Sequence, residues 1–258
     1  PAIWELNVWY HTLNCGMTTR ISGETDFPCI YGDRVGLGRI YVQLDDDQEL
    51  TYESWVDGLK DGRSYCGDGL SHVLDFAVDG VGVGSQSESG ISRLNLKQSS
   101  TVNVTFDATA LLEAQQTDST RQIRGRRLDE KPYWHIERCR INDTRKVPVE
   151  VIVNGEVFAT KTLLADGSNK AFDIPIEIDK SSWVAVRILP SVHTNPIFIH
   201  VGDHPIRASK KSAEWCVQAV QTCWNSKKGQ IREEEREAAK AAYDNAEAIY
   251  RTIAGESD

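Results

Sequence analysis

The feature that most constrains this chain is a series of short β-rich segments, separated by turn dipeptides, that begins near residue 72. Asp79-Gly80, Asn154-Gly155 and Asp166-Gly167 each lie between such segments, and these dipeptides tolerate the positive φ angles of two-residue hairpins. The pattern predicts eight strands, over residues 72–78, 101–108, 133–141, 147–153, 157–164, 171–178, 183–189 and 197–201. A mainly β protein is therefore expected, in which two antiparallel sheets form an immunoglobulin-like sandwich.

Helical spacing flanks this β-rich region on both sides. Before it, apolar residues predict helices over 3–15 and 51–59, with a strand ending near Asp26 and another over 39–44 between them. This succession indicates an α/β segment. After it, apolar stripes over residues 215–224 and 239–253 predict an antiparallel helical hairpin that packs on the sandwich. A coiled coil with another chain, and hence an oligomer, is the alternative for these two helices.

Composition and charge exclude some classes of partner. The formal net charge of −9 argues against nonspecific binding to nucleic acid or anionic lipid, because such binding depends on many Lys and Arg contacts. The apolar stretches are too short to span a bilayer, so a soluble protein is expected, either cytoplasmic or exported. The six cysteines form no Cys-x-x-Cys pair, which disfavours a structural zinc site.

The segment over residues 20–29 is the first candidate for chemistry. In a strand, alternate side chains share a face, so Ser22, Glu24 and Asp26 would point the same way. Both carboxylates would then lie at the C-terminal end of the strand, where barrel enzymes place their active sites. Carboxylates there bind a divalent metal or act as a general base beside one. Capping or simple solvent exposure of the two acids is the alternative.

Several longer motifs resemble one known family. They occupy residues 10–16, 22–29, 38–42, 52–65, 131–138, 181–198 and 207–216, and they include Ser-Gly-Glu-Thr-Asp-Phe-Pro-Cys and Lys-Pro-Tyr-Trp-His-Ile-Glu-Arg. Together they resemble the closing portion of CehA/McbA-type metallohydrolases, which belong to the PHP (polymerase and histidinol phosphatase) superfamily. The resemblance extends over nearly the whole chain.

This resemblance implies a fold, a cofactor and a substrate class. The fold is a distorted α/β barrel that holds two or three divalent metals, such as zinc, manganese or iron. A metal-activated water hydrolyses ester, amide or phosphoester bonds of a small molecule. On this view residues 1–75 are the C-terminal remnant of the barrel, residues 76–207 the sandwich and residues 208–258 the helical hairpin.

The resemblance also assigns residues. Asp26 looks like the late metal-ligand aspartate of the family, and Glu24 is its nearest acidic neighbour. Arg63, Asp68 and His72 lie on what resembles the glycine-bearing loop near the barrel mouth, where an arginine would bind an anionic substrate group. A structural ion pair is the alternative for Arg63.

Two departures from the family pattern limit this expectation. None of the six histidines forms the His-x-His pair that opens a PHP site, and Phe27 and Pro28 follow Asp26 where the family often has Asp-x-His. Most metal ligands are therefore expected to lie upstream of Pro1 or to be missing, and this chain alone is expected to be inactive.

A different class of function stays open beside the hydrolase. The sandwich would then be a non-catalytic module that binds carbohydrate or protein through its loops. Tyr133 and Trp134 are the aromatic pair that would offer a stacking surface for such a ligand.

Overall fold

The computed structural model describes residues 2–25, 36–45, 47–88 and 90–257. Within them are five α-helices and one 3₁₀ turn. The helices are α1 Ala2–Asn14, α2 Tyr52–Asp61, α3 Asp118–Gly125, α4 Lys210–Lys227 and α5 Glu233–Glu256, and the 3₁₀ turn is Ile136–Cys139. The strands are β1 Arg39–Val42, β2 Ser64–Gly67, β3 Ser71–Val78, β4 Val81–Gly82, β5 Gln86–Ser87, β6 Gly90–Ile91, β7 Arg93–Leu96, β8 Ser100–Ala110, β9 Lys146–Val153, β10 Glu156–Leu164, β11 Lys170–Ile178, β12 Ser182–Ile188, β13 Val192–Thr194 and β14 Ile197–Val201.

Two sheets pack face to face around one apolar core. The larger sheet runs β1-β2-β13-β12-β14-β7, with β9 also paired to β12 and β10 to β9. The smaller sheet runs β11-β8-β3-β4. Along β8 and β11 buried and exposed positions alternate, so that Val104, Phe106, Ile174 and Ile176 all point into the core. Strands β5 and β6 form a separate two-stranded sheet. The predicted mainly β fold with additional helices is confirmed, and seven of the eight predicted strands are present.

The prediction of a strand over residues 133–141 is wrong. This stretch contains the 3₁₀ turn, which begins after His135, whose side chain accepts a hydrogen bond from the Glu137 backbone amide at 3.2 Å. A turn brings residues three apart onto one side, so Glu137 and Arg140 form a buried ion pair at 2.8 Å. A strand would place these two side chains on opposite faces and bury each charge without its partner.

The N-terminal region extends the larger sheet and closes no barrel within the described residues. Strand β2 pairs antiparallel with β1 on one side and with β13 on the other, so the sheet continues across the predicted boundary at residue 75. Both predicted helices are present as α1 and α2. The division into three domains stays a prediction.

The strand predicted to end near Asp26 is absent from its described part, because residues 18–25 form no regular structure. The backbone amide of Ile21 donates to the Asn195 side chain at 2.8 Å rather than to a neighbouring strand. Gly23 lies so close to β1 that a Cβ atom would sit 2.7 Å from the Arg39 carbonyl oxygen. Asp26 itself lies outside the described residues.

The helical hairpin forms as predicted but packs on a different surface. Helices α4 and α5 are antiparallel, with Gln221 bonded to Glu247 at 2.9 Å. Buried small residues, Ala213 and Cys216, let α4 approach Cys15 at the end of α1. Helix α1 contacts α4 on one side and β12 on the other. The hairpin therefore packs on α1, whereas the sequence predicted that it packs on the sandwich. No described helix has the length and apolar content of a membrane span.

Candidate functional site

A cleft of about 630 Å³ lies where α1, residues 20–25, the start of β1 and residues 131–134 meet. Its lining combines charged and aromatic side chains. These include Glu5, Trp9, Arg20, Ser22, Glu24, Arg39, Lys131, Tyr133 and Trp134. The cleft therefore lies between the N-terminal region and the loop that precedes the 3₁₀ turn.

Hydrogen bonds, rather than sheet pairing, fix the wall formed by residues 18–25. The indole Nε1 of Trp9 donates to the Thr19 carbonyl at 3.1 Å. The buried Asn195 accepts from the Ile21 amide at 2.8 Å and donates to the Ser64 carbonyl at 3.1 Å. One side chain of the sandwich thus positions both the cleft wall and the beginning of β2.

Five charged side chains of the described lining give the cleft its electrostatic character. Arg20, Arg39 and Lys131 are the cations, and Glu5 and Glu24 are the carboxylates. Among the lining residues that the structure describes the balance is positive, in a chain whose net charge is negative. Such a cleft favours a ligand that carries an anionic group, since charge-assisted hydrogen bonds from guanidinium groups are stronger than neutral ones.

Local contacts hold the two arginines in place. The Nε of Arg39 donates to the Gly36 carbonyl, and its Nη1 donates to the Tyr41 hydroxyl at 3.4 Å. Burial lowers the pKa of Arg20, because it penalises the charged form, while the nearby Asp61 acts in the opposite direction. An anionic ligand would offset this penalty, because it would form an ion pair with the partly buried guanidinium group.

Of the two predicted metal ligands, Glu24 lines the cleft and Asp26 lies outside the described residues. Within the described ranges, no group of three or more His, Cys, Asp or Glu side chains is arranged to hold a metal ion. The described side chains therefore do not by themselves form a metal centre.

Asp68 is buried at the end of β2 rather than exposed at a barrel mouth. Its Oδ1 accepts from the Leu70 amide at 2.8 Å and from the Ser191 hydroxyl at 2.9 Å, and that hydroxyl lies 2.6 Å from the Ser71 hydroxyl. Its Oδ2 is buried without a hydrogen-bond partner in the described part of the chain. Burial raises the pKa of Asp68 to about 6, although these hydrogen bonds act against the increase.

His72 and Arg63 have other surroundings. The Nδ1 of His72 lies 2.7 Å from the Tyr65 hydroxyl, and burial, followed by the charge of Arg39, lowers the pKa of His72. Arg63 forms an ion pair with Asp45 at 3.0 Å. The three residues assigned to the barrel mouth thus have separate hydrogen-bond partners, and none of them lines the cleft.

Sequence reasoning missed the cations of the cleft and the polar network behind it. His193 is fully buried, and its Nδ1 donates to the Thr194 carbonyl at 2.7 Å, so its Nε2 accepts from the Tyr10 hydroxyl. That hydroxyl also accepts from Arg187 at 3.0 Å. Burial lowers the pKa of His193 to about 3, and the ring therefore stays neutral. Tyr10 and His193 are 183 residues apart, so no local pattern in the sequence could have found this pair.

Comparison with protein-family models and with curated proteins gives no match. The chemistry of the cleft therefore rests on its own side chains. Three cations beside Trp9, Tyr133 and Trp134 suit a ligand with an anionic group and a flat or apolar part.

Proposed function

We propose that this chain forms the C-terminal part of a metal-dependent hydrolase of the PHP superfamily, with the cleft as its substrate-facing surface. The substrate is a small anionic molecule with an ester, amide or phosphoester bond. The observation that carries the proposal is the position of Glu24. It belongs to the motif that resembles the CehA/McbA-type enzymes, and it lines a cleft that also contains three cationic side chains.

In this proposal residues 1–75 correspond to the end of a PHP barrel and residues 76–207 to an immunoglobulin-like sandwich. Zinc, manganese or iron in the full-length protein supplies the activated water. Ligands from outside the described residues complete the metal site, since the described ones do not.

The described side chains bind and orient the substrate. Arg20, Arg39 and Lys131 pair with its anionic group, because each lines the same cleft. Tyr133 and Trp134 contact its apolar part and exclude water from the wall they form. Glu24 provides a carboxylate at the edge of the reacting region, as a metal ligand or as a base beside the metal.

The test compares Glu24→Gln with the unmodified full-length gene product. Hydrolysis of p-nitrophenyl acetate and of bis(p-nitrophenyl) phosphate is measured after chelation and after addition of each of the three metals. We expect metal-dependent activity, and a kcat/KM that falls about tenfold or more in Glu24→Gln.

Glu49→Gln is the matched control, because Glu49 is exposed and outside the cleft lining. It should retain full activity. Absence of hydrolysis with every metal, or full activity in Glu24→Gln, would contradict the proposal.

A second candidate is favoured by the placement of Tyr133 and Trp134 in the cleft wall. Aromatic side chains beside charged ones also suit a non-catalytic carbohydrate-binding surface. Binding of this chain to a glycan array in the presence of chelator, together with absence of hydrolysis by the full-length protein, would favour this function. Metal-dependent hydrolysis without glycan binding would exclude it.

A further inference from the structure

A second pocket, of about 380 Å³, lies between the β1–α2–β2 region and strand β3. No described residue lines both this pocket and the cleft. Its walls are mainly apolar and include Val42, Val73, Phe76 and Val83. Its volume falls at the lower end of the range for small-molecule sites.

Arg63 places an incompletely paired guanidinium group in this pocket. Its Nη1 donates to the carboxylate of Asp45, a side chain that is 69% exposed. Its Nε is buried and has no hydrogen-bond partner among the described residues. Because Asp45 is exposed, solvent screens this ion pair, and the charge of Arg63 is incompletely neutralised beside an apolar pocket.

The stem of Arg63 is held in one position by the turn after β4. Gly84 has a φ of +77°, and a Cβ atom there would lie 2.6 Å from the Arg63 backbone nitrogen. Only glycine fits this approach. The guanidinium group is therefore supported by a backbone that lies directly against its side-chain stem.

The opposite wall carries a β-bulge. The pairing of β3 with β8 shifts register between Leu74 and Ala77, and Asp75 has a φ of +52°. Bulges of this kind redirect side chains and are frequent next to binding sites. Leu74 and Asp75 are exposed and form part of the rim, where solvent screens the Asp75 charge.

We propose that this pocket binds a small carboxylate with an apolar body. A guanidinium group forms charge-assisted hydrogen bonds with a carboxylate, and Arg63, whose side chain is 19% exposed, lines this pocket. The apolar body packs against Val73 and Phe76. This site is independent of the proposed hydrolase function, since it needs neither a metal nor the cleft.

The test is calorimetric titration of this chain with phenylacetate and, in parallel, with its neutral analogue phenylacetamide, both in the presence of chelator. We expect phenylacetate to bind and phenylacetamide to bind at least about tenfold more weakly. Arg63→Gln should weaken phenylacetate binding by about ten- to a hundredfold, as expected for loss of a charge-assisted hydrogen bond. Arg121→Gln, at an exposed arginine paired with Asp118, is the matched control and should leave binding unchanged.

A second variant keeps the proposal testable if Arg63→Gln fails to fold. Gln43 is exposed and lines the pocket, so Gln43→Trp should narrow its mouth and reduce phenylacetate binding without disturbing the core. Equal binding of the acid and the amide, absence of phenylacetate binding at about 1 mM, or unchanged binding in Gln43→Trp would each overturn the proposal. None of these results depends on hydrolysis, so failure here is distinguishable from failure of the proposed function.

Discussion

The core between the two sheets and the junction that joins the described part of residues 2–68 to the sandwich are built from different contacts. The core consists of apolar side chains with almost no exposed surface, such as Val104, Val186 and Ile188. The junction combines a smaller apolar cluster, which includes Leu13, Trp183 and Phe198, with many hydrogen bonds. These buried and partly buried hydrogen bonds link Trp183 to Asn14, His193 and Arg187 to Tyr10, Ser191 to Asp68, and Asn195 to Ile21 and Ser64.

This difference explains why the cleft lies at the junction. Apolar burial is non-directional and tolerates small shifts, whereas hydrogen bonds fix distance and angle. Every sandwich residue in this set of junction bonds comes from residues 183–195. The run over residues 181–198 thus supplies both a central strand of the core and the polar contacts that position a cleft wall.

The largest expected effect is a loss of stability from a substitution in the core between the two sheets. Ile188 is fully buried, and Ile188→Ala should lower the free energy of unfolding by about 2–5 kcal/mol, through lost burial and the cavity left behind. Urea denaturation followed by circular dichroism and by tryptophan fluorescence should show one shifted transition for both regions. Val157→Ala, at a residue that is 45% exposed, is the control and should change stability by about 0.5 kcal/mol at most.

If the tryptophan signal of the junction stays at the original midpoint in Ile188→Ala, the junction is stable without the core. The hydrogen bonds of the junction would then form without support from the apolar core, which would contradict the expected single transition.

The next effect concerns Asp68 in the junction. Burial raises the pKa of its carboxyl from 3.8 to about 6, so the folded chain binds this proton more tightly than the unfolded chain does. The stabilisation is therefore complete below about pH 4 and is lost as the pH rises to 6, a change of about 3 kcal/mol. Asp68→Asn removes this dependence and retains an oxygen for Leu70 and Ser191.

The measurement is the free energy of unfolding of both proteins between pH 4 and 7. The stability of Asp68→Asn relative to the unmodified chain should increase by about 2 kcal/mol over this range. His193, whose pKa is lowered to about 3, has the opposite pH dependence in both proteins and cancels in the difference. A difference that does not change with pH would show that the Asp68 carboxyl is solvated in the folded chain.

The sequence predicts the core better than the junction, for a physical reason. Alternation of period two in β8 and β11 is a local signal, and the turn dipeptides mark the strand ends directly. The junction depends on pairs distant in the chain, such as Asn195 and Ile21, and local spacing carries no trace of them. The strand over residues 133–141 was predicted wrongly because the β-forming residues there are a local signal for a strand. The ion pair between Glu137 and Arg140, which needs the turn, leaves no such signal.

The candidate site was predicted only in part. Glu24 was selected as a metal ligand at the end of a strand; the structure places it in the lining of the cleft, outside any strand, and its role as a ligand stays a prediction. Arg20, Arg39 and Lys131 were not selected, since each belongs to a different element and only the junction brings them to one cleft. Arg63 was selected for anion binding, and the structure places it in a separate pocket.

The smallest expected effect tests whether the junction can be released alone. Asn195→Ala leaves the Ile21 amide and the Ser64 carbonyl without their side-chain partner, at a cost of about 1–3 kcal/mol. Hydrogen exchange should accelerate in residues 18–25 and 62–67, while β8 keeps its protection, because β8 is buried in the core on the other sheet. Asn169→Ala, which removes an exposed hydrogen bond to Asp107, should leave both regions unchanged. Equal acceleration in β8 and residues 18–25 would mean that the core and the junction open as one unit, and that the hydrogen bonds of Asn195 position the cleft wall no more specifically than the apolar core does.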